Sequence, residues 1–164
     1  MSAVRIAEAG GVGVAWGGKE VSVANNELVA RWKGWSPRLL SLLRIVSAFL
    51  FIQSGTVKLF AFPIPMPQGV TAPVFSEIWI GGVLEAFGGA LMLLGLFTRP
   101  VAFILAGEMA VAYFQFHAPN GFWVVVNQGT ASALFCWIWL YISSAGPGPW
   151  SLDAMLRRGD GALR

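Results

Sequence analysis

Four long apolar runs constrain this chain more than anything else in its sequence. They cover residues 37–62, 76–97, 101–117 and 122–143, and none is broken into the narrow stripes of a soluble amphipathic helix. A helix needs about 20 residues to cross roughly 30 Å of hydrocarbon, and the third run approaches that length once its semi-polar Gln115-Phe116-His117 end is included. Composition agrees, because 12% of the 164 residues are charged, whereas an ordinary soluble domain carries roughly 25%. So little charge cannot cover a globule with polar surface, and the relevant solvent is lipid. Soluble enzymes, nucleic-acid binders and secreted disulfide scaffolds become poor readings. The single cysteine, Cys136, lies in the last run and excludes an intrachain disulfide or a CxxC redox pair. The expected fold is an all-α integral membrane protein, a four-transmembrane-helix antiparallel bundle.

Residues 1–30 are rich in Gly, Ala and polar side chains, and are expected to form a flexible cytoplasmic tail. Residues 31–156 form the membrane domain in this reading, and 157–164 a basic C-terminal tail. No apolar segment of about 7 to 15 residues with a small-residue cleavage site precedes the first run, which is therefore expected to direct insertion itself. Leu28, Trp32 and Trp35 alternate with Arg31, Lys33 and Arg38, a mixture suited to the membrane interface. The tight Thr98-Arg99-Pro100 connection makes spans two and three antiparallel neighbours, and Ala118-Pro119-Asn120-Gly121 is a turn signal. The Phe62-Pro63-Ile64-Pro65-Met66-Pro67 loop cannot continue a helix and is expected at the outer interface. Basic residues precede span one, separate spans two and three (Arg99), and follow span four (Arg157, Arg158, Arg164), while the other two loops contain none. The positive-inside rule then makes both termini cytoplasmic in a multi-pass protein of the bacterial inner membrane.

Ionisable groups within spans are costly, so each is a functional hypothesis by default. They are Arg44 and Lys58 in span one, Glu85 in span two and Glu108 in span three. At about 100° per residue, Arg44, Ser47, Phe51, Ser54, Gly55 and Lys58 share one face of span one. Gly81, Gly82, Glu85, Gly88, Gly89 and Met92 share a face of span two, where the four glycines are expected to let a neighbouring backbone approach closely. Leu105, Glu108, Val111, Ala112 and Gln115 line span three, and Asn127, Thr130, Ala131, Leu134, Ile138 and Tyr141 line span four. Four polar stripes can converge only inside a bundle.

Depth suggests partners. Arg44 at about 10 Å and Glu108 at about 12 Å from the cytoplasmic end form a candidate buried ion pair, while Lys58 and Asn127 both lie about 7 to 8 Å from the outer end. Glu85, near the midplane, could pair with either cation or could instead stand protonated. Lys58, Glu85, His117 and Asn127 form a candidate intramembrane polar pocket, which Gln115 and Gln128 could join. The bland reading is that these charges only fix helix register. His117 is the only histidine, so bis-imidazole haem ligation and a transition-metal site are not expected, and no cofactor is encoded in the sequence itself.

Arg44, the run Gly55-Thr56-Val57-Lys58-Leu59-Phe60, the block from Gly82 to Pro100, Glu108-Met109-Ala110-Val111-Ala112, His117 and the closing Gly146-Pro147-Gly148-Pro149-Trp150-Ser151-Leu152-Asp153 together resemble the DoxX family of small bacterial membrane proteins. The resemblance covers about residues 37 to 156. It implies a four-helix membrane bundle, and an association with quinone-linked oxidoreduction or with membrane oxidoreductase complexes that handle thiols and oxidative stress. One departure stands out. Asn127-Gln128-Gly129-Thr130 occupies the position where relatives often carry an Asn-Gly-Gly-Glu type sequence, and losing that acidic group makes Glu85 the expected partner of Lys58.

The expected function is therefore a DoxX-like inner-membrane protein acting as an accessory or quinone-associated subunit of a membrane oxidoreductase complex. Its partners would be the lipid bilayer and other subunits of that complex or further copies of itself, with no nucleic acid. The alternative is a non-catalytic structural or assembly membrane protein whose buried charges fix helix packing. A small-solute permease is disfavoured by the lack of an evident broken helix or internal repeat.

Overall fold

A computed structural model describes residues 24–66 and 69–162. Contacts divide the chain into two units, Met1–Gly34 and Trp35–Arg164, and everything that follows on packing concerns the second. All regular structure among the described residues is helical: α1 (Ala24–Phe60), α2 (Glu77–Leu94), α3 (Thr98–Asn120), α4 (Thr130–Ala145) and α5 (Leu152–Ala162). Three stretches are long and apolar enough to cross a membrane, namely Trp32–Phe60 in α1, all of α2 and all of α3, whereas α4 is a shorter apolar helix of 16 residues.

The helix ends depart from the apolar runs in three places. The expected tail over residues 1–30 lies outside the described residues up to residue 23, but from Ala24 the chain is already helical. Hydropathy locates hydrocarbon, whereas a helix continues wherever good helix formers such as Glu27, Leu28, Ala30, Arg31 and Lys33 extend its hydrogen bonding. The expected C-terminal tail falls mostly within α5, with residues 163 and 164 outside the described part.

The third departure is the largest. Span four was expected from Phe122, yet residues 122–129 form turns and α4 begins at Thr130. Asn127 is the cause. Its buried side chain accepts the Gly129 N–H at 2.8 Å and donates to the Gly121 carbonyl at 2.8 Å, giving the backbone partners that compete with helix. Gln128 then takes a left-handed φ of 59°, which ends any helical continuity.

Packing follows small residues and aromatic shape. An added Cβ at Gly82 would meet Lys58 Cβ at 2.9 Å, and one at Gly89 would meet Ile52 at 2.7 Å, so these two glycines face α1. A Cβ at Gly88 would meet Leu105 of α3 at 2.7 Å, and one at Gly81 the Glu108 carboxyl at 3.3 Å, so these two face α3. The core is built on Ala48, Phe51, Met92, Leu105, Met109, Trp139 and Ile142. Phe51 sits at 5.2 Å from Phe135 and edge-on to Trp139 at 5.4 Å, ring to ring. This seats α4 on Ser132, Trp139 and Ile142. Of the expected face only Ile138 packs against the core, since Thr130, Ala131, Leu134 and Tyr141 are exposed. A wheel phased on polar residues 127 and 130 misleads because they belong to the turn region and the helix start, and on a helix apolar all round the packing face is chosen by ring fit.

Candidate functional site

Four elements enclose a cavity of about 870 Å³, within the size range of small-molecule sites, roughly 300–1,000 Å³. From α1 come Phe51, Ser54 and Lys58; from α2, Glu77, Gly81, Leu84 and Glu85; from α3, Glu108, Met109, Ala112, Gln115 and His117; and from α4 with its preceding turn, Gln128, Ser132 and Phe135. The walls are mostly apolar and the polar groups few, the usual pattern of sites that orient a ligand by one end.

Two of the three long helices that carry these groups, α2 and α3, change pitch at the cavity. Leu84–Gly88 in α2 and Tyr113–His117 in α3 are single π turns, the first containing Glu85 and the second ending on His117. Such turns open a helix locally and recur at functional sites.

The Lys58 ammonium lies 2.6 Å from Glu85 Oε2, with the carboxyl side chain only 3% exposed. It is the one salt bridge among the described residues. Glu108 stands apart. It lines the same cavity, and its Oε2 is buried with no hydrogen-bond partner. At the rim, the Gln115 amide donates to Glu77 Oε2 at 2.5 Å. Glu77 carried no earlier signal beyond its place after Ser76, which caps α2 by accepting the Trp79 N–H.

His117 lines the cavity, and its Nδ1 lies 3.1 Å from the Asn127 carbonyl oxygen. Asn127 itself is not among the lining residues. Its side chain is spent on Gly121, Gly129 and the Tyr113 hydroxyl. The expected pocket therefore has Lys58, Glu85 and His117 on its wall, and Asn127 behind it as the group that fixes the turn. No group of three or more His, Cys, Asp or Glu side chains among the described residues could hold a metal.

The structure does not bring Arg44 and Glu108 together as an ion pair. Arg44 is fully buried, and its guanidinium donates to four carbonyls: Pro147 through Nε at 3.0 Å, Leu93 at 2.9 Å, and Met92 and Trp150. Met92 and Leu93 lie in the last turn of α2, where unpaired carbonyls and the helix dipole favour a cation. Depth arithmetic matched Arg44 to Glu108 but was blind to the loop that folds over the bundle end. That loop is latched throughout. Trp150 N–H donates to Ser41 Oγ at 3.2 Å, Asp153 accepts the Phe97 and Thr98 N–H groups at 2.9 Å each, and Arg99 donates to the Ser143 and Ser144 carbonyls. Asp153 so caps the N-terminus of α3 from outside the helix. Burial pushes its carboxyl up, but the Thr98 and Phe97 hydrogen bonds and the nearby Arg157 charge outweigh that and hold it below the usual carboxylate range.

The chain is 42% identical over 122 residues to an uncharacterized protein of Haemophilus influenzae, spanning 73% of this chain and 91% of that one. A family model described as DoxX matches residues 39–118. The chain belongs to the DoxX family. An uncharacterized membrane protein of Mycobacterium tuberculosis is similar as well, 25% identical over 139 residues that cover 74% of this chain and 83% of the relative. No solved structure matches the chain. As a DoxX protein with long apolar helices it is a multi-pass membrane protein in contact with the lipid bilayer. The matched segment contains Arg44, Lys58, Glu85, Glu108 and His117, while the Gly-Pro loop that receives Arg44 lies beyond it.

Proposed function

We propose that this DoxX protein is a quinone-associated subunit of a membrane oxidoreductase complex, with the Lys58, Glu85 and His117 cavity as the quinone site. The observation that carries the reading is the combination in one cavity of an ion pair, an unpartnered carboxyl and aromatic walls. A quinone head is flat and carries carbonyl acceptors at opposite edges. Phe51 and Phe135 give the cavity an aromatic lining suited to its ring, and the Lys58 ammonium or the His117 ring offers a donor to a carbonyl. Electrons would come from a partner subunit or its cofactor. The protein would cross the bacterial inner membrane four times with both termini cytoplasmic, α4 making the fourth crossing; basic residues Arg99, Arg157 and Arg158 at one end support that orientation.

Binding of a short-chain ubiquinone analogue to the purified protein tests the site. Affinity should fall at least tenfold in Lys58→Ala and in Glu85→Gln, and wild-type affinity in both would overturn it. Reporter fusions at the C-terminus test the orientation, for which a periplasmic signal is the contrary result.

A second reading applies to the other end of the molecule. Arg44 ties four carbonyls and does not line this cavity, so its role there is to lock the bundle end rather than to act on a ligand.

A further inference from the structure

The cavity opens sideways. Ile80 of α2 and Ile104 and Val111 of α3 line it, yet they are 49%, 54% and 60% exposed. Residues that both line a cavity and face outward mark its mouth, and these three place part of it between α2 and α3 on a surface that a membrane protein turns to lipid, while the exposed Glu77, Gln115 and Gln128 extend it to the end of the bundle where α2 begins. Glu108 sits four residues after Ile104 and three before Val111, on the same side of α3, and so stands directly behind that mouth.

Among the described residues, the other charged or titratable groups lining the cavity are Lys58, Glu85, Glu77 and His117. Lys58 comes from α1 and is bound to Glu85 of α2 at 2.6 Å. Glu77 of α2 accepts from Gln115, and His117, on α3 itself, is held at the Asn127 carbonyl. The α4 side brings Ser132 and Gln128 and no charge. One cation thus serves two carboxyls, the buried Glu85 and the half-buried Glu108 with its enclosed Oε2, and it is committed to Glu85. A second buried carboxylate without a cation or a donor is strongly disfavoured. A neutral carboxylic acid is not, because it carries its own donor.

We propose that Glu108 is the proton-carrying group of the cavity, a neutral carboxylic acid behind the lipid-facing mouth that donates a hydrogen bond to an acceptor oxygen on the head of a lipid-soluble ligand. The nature of that ligand rests on the reading above; the protonated state of Glu108 does not. The division of labour is then between two carboxyls of opposite character. Glu85 is an anion that fixes Lys58, and Glu108 is the acid that meets the ligand as it enters from the bilayer.

Dicyclohexylcarbodiimide separates the two, since this apolar reagent partitions into lipid and forms a stable N-acylurea with protonated carboxyls but not with ion-paired carboxylates. Full-length protein in liposomes is treated at pH 7.5 and the adduct located by peptide mass spectrometry. Adduct on Glu108 in at least tenfold excess over Glu85, and its loss in Glu108→Gln with an unchanged melting midpoint, is the expected result. Adduct on Glu85, or none on either residue, overturns the proposal. Repeating the labelling with a short-chain ubiquinone analogue tells the two readings apart. A several-fold slower reaction supports both, whereas labelling of Glu108 at an unchanged rate keeps the neutral acid and overturns the quinone as occupant.

Discussion

Gly55 of α1 rests against the Gly82 carbonyl of α2, so closely that a Cβ at position 55 would come within 2.7 Å of that oxygen and 2.5 Å of the Ala86 nitrogen. This backbone contact sets the separation of the two helices. One turn further along α1, the same separation puts Lys58 beside Glu85.

Gly55→Ala should therefore destabilise the protein by roughly 1 to 3 kcal/mol, the usual range for overpacking a contact that cannot yield. Gly107→Ala on α3 is the matched control, since nothing lies within 4 Å of a Cβ there. It should be neutral or gain up to about 1 kcal/mol from helix propensity. Melting in detergent micelles reads both, and equal midpoints for the two variants would contradict the close approach.

Lys58 and Glu85 should be energetically coupled. Lys58→Met leaves a buried carboxylate alone, while adding Glu85→Gln removes that charge, so the double variant should be more stable than the sum of the single losses predicts. A double-mutant cycle should give a coupling of roughly 1 to 3 kcal/mol. Additive effects would mean that the pair does not persist in the membrane.

Arg44→Ala strips donors from four carbonyls at once. A loss of about 3 kcal/mol or more is expected, because hydrogen bonds from a charged donor are each worth roughly 1.5 to 3 kcal/mol and the buried acceptors stay behind. Arg44→Lys should recover little of it, since an ammonium cannot reproduce the planar fork. Ser41→Ala, which removes the α1 hydroxyl that accepts from Trp150 of the same loop, should lose only about 1 kcal/mol. Melting midpoints ordered otherwise would break this account of the bundle end.

Asp153 gives a pH dependence. Its carboxyl is held below the usual range in the fold, so the folded protein binds this proton less readily than the unfolded chain does. The associated stability is complete above the unfolded value of about 3.9 and is lost as pH falls through the lower folded value. Asp153→Asn, which keeps capping ability, should show a shallower fall in melting midpoint between about pH 5 and pH 3 than wild type. Identical slopes would assign the acid sensitivity elsewhere.

The sequence marked the lipid environment, three of the apolar helices and the wall positions Lys58, Glu85 and His117, because charge in an apolar run can be tolerated only facing inward. It could not place Arg44, whose acceptors are backbone carbonyls and carry no signature in residue type. Asn127 looked like a pocket residue because its polarity was visible, while its turn-forming role depends on a backbone geometry that polarity does not encode. The face of α4 was illegible for a simpler reason. Ser132, Phe135 and Trp139 are no more apolar than the residues exposed beside them, and only the fit of rings against Phe51 selects them.

The π turns at Leu84–Gly88 and Tyr113–His117 have a consequence for anything that docks alongside. Each π turn accommodates one residue more than an α turn, so the part of the helix beyond it is rotated by about 100° relative to a straight count. The outer surface of α2 is thus two half-length stripes joined at a seam, whereas on α3 only the short Ala118–Asn120 end lies beyond the turn. A straight helix from another subunit could follow one half or the other, but to follow both it would need a matching offset of its own.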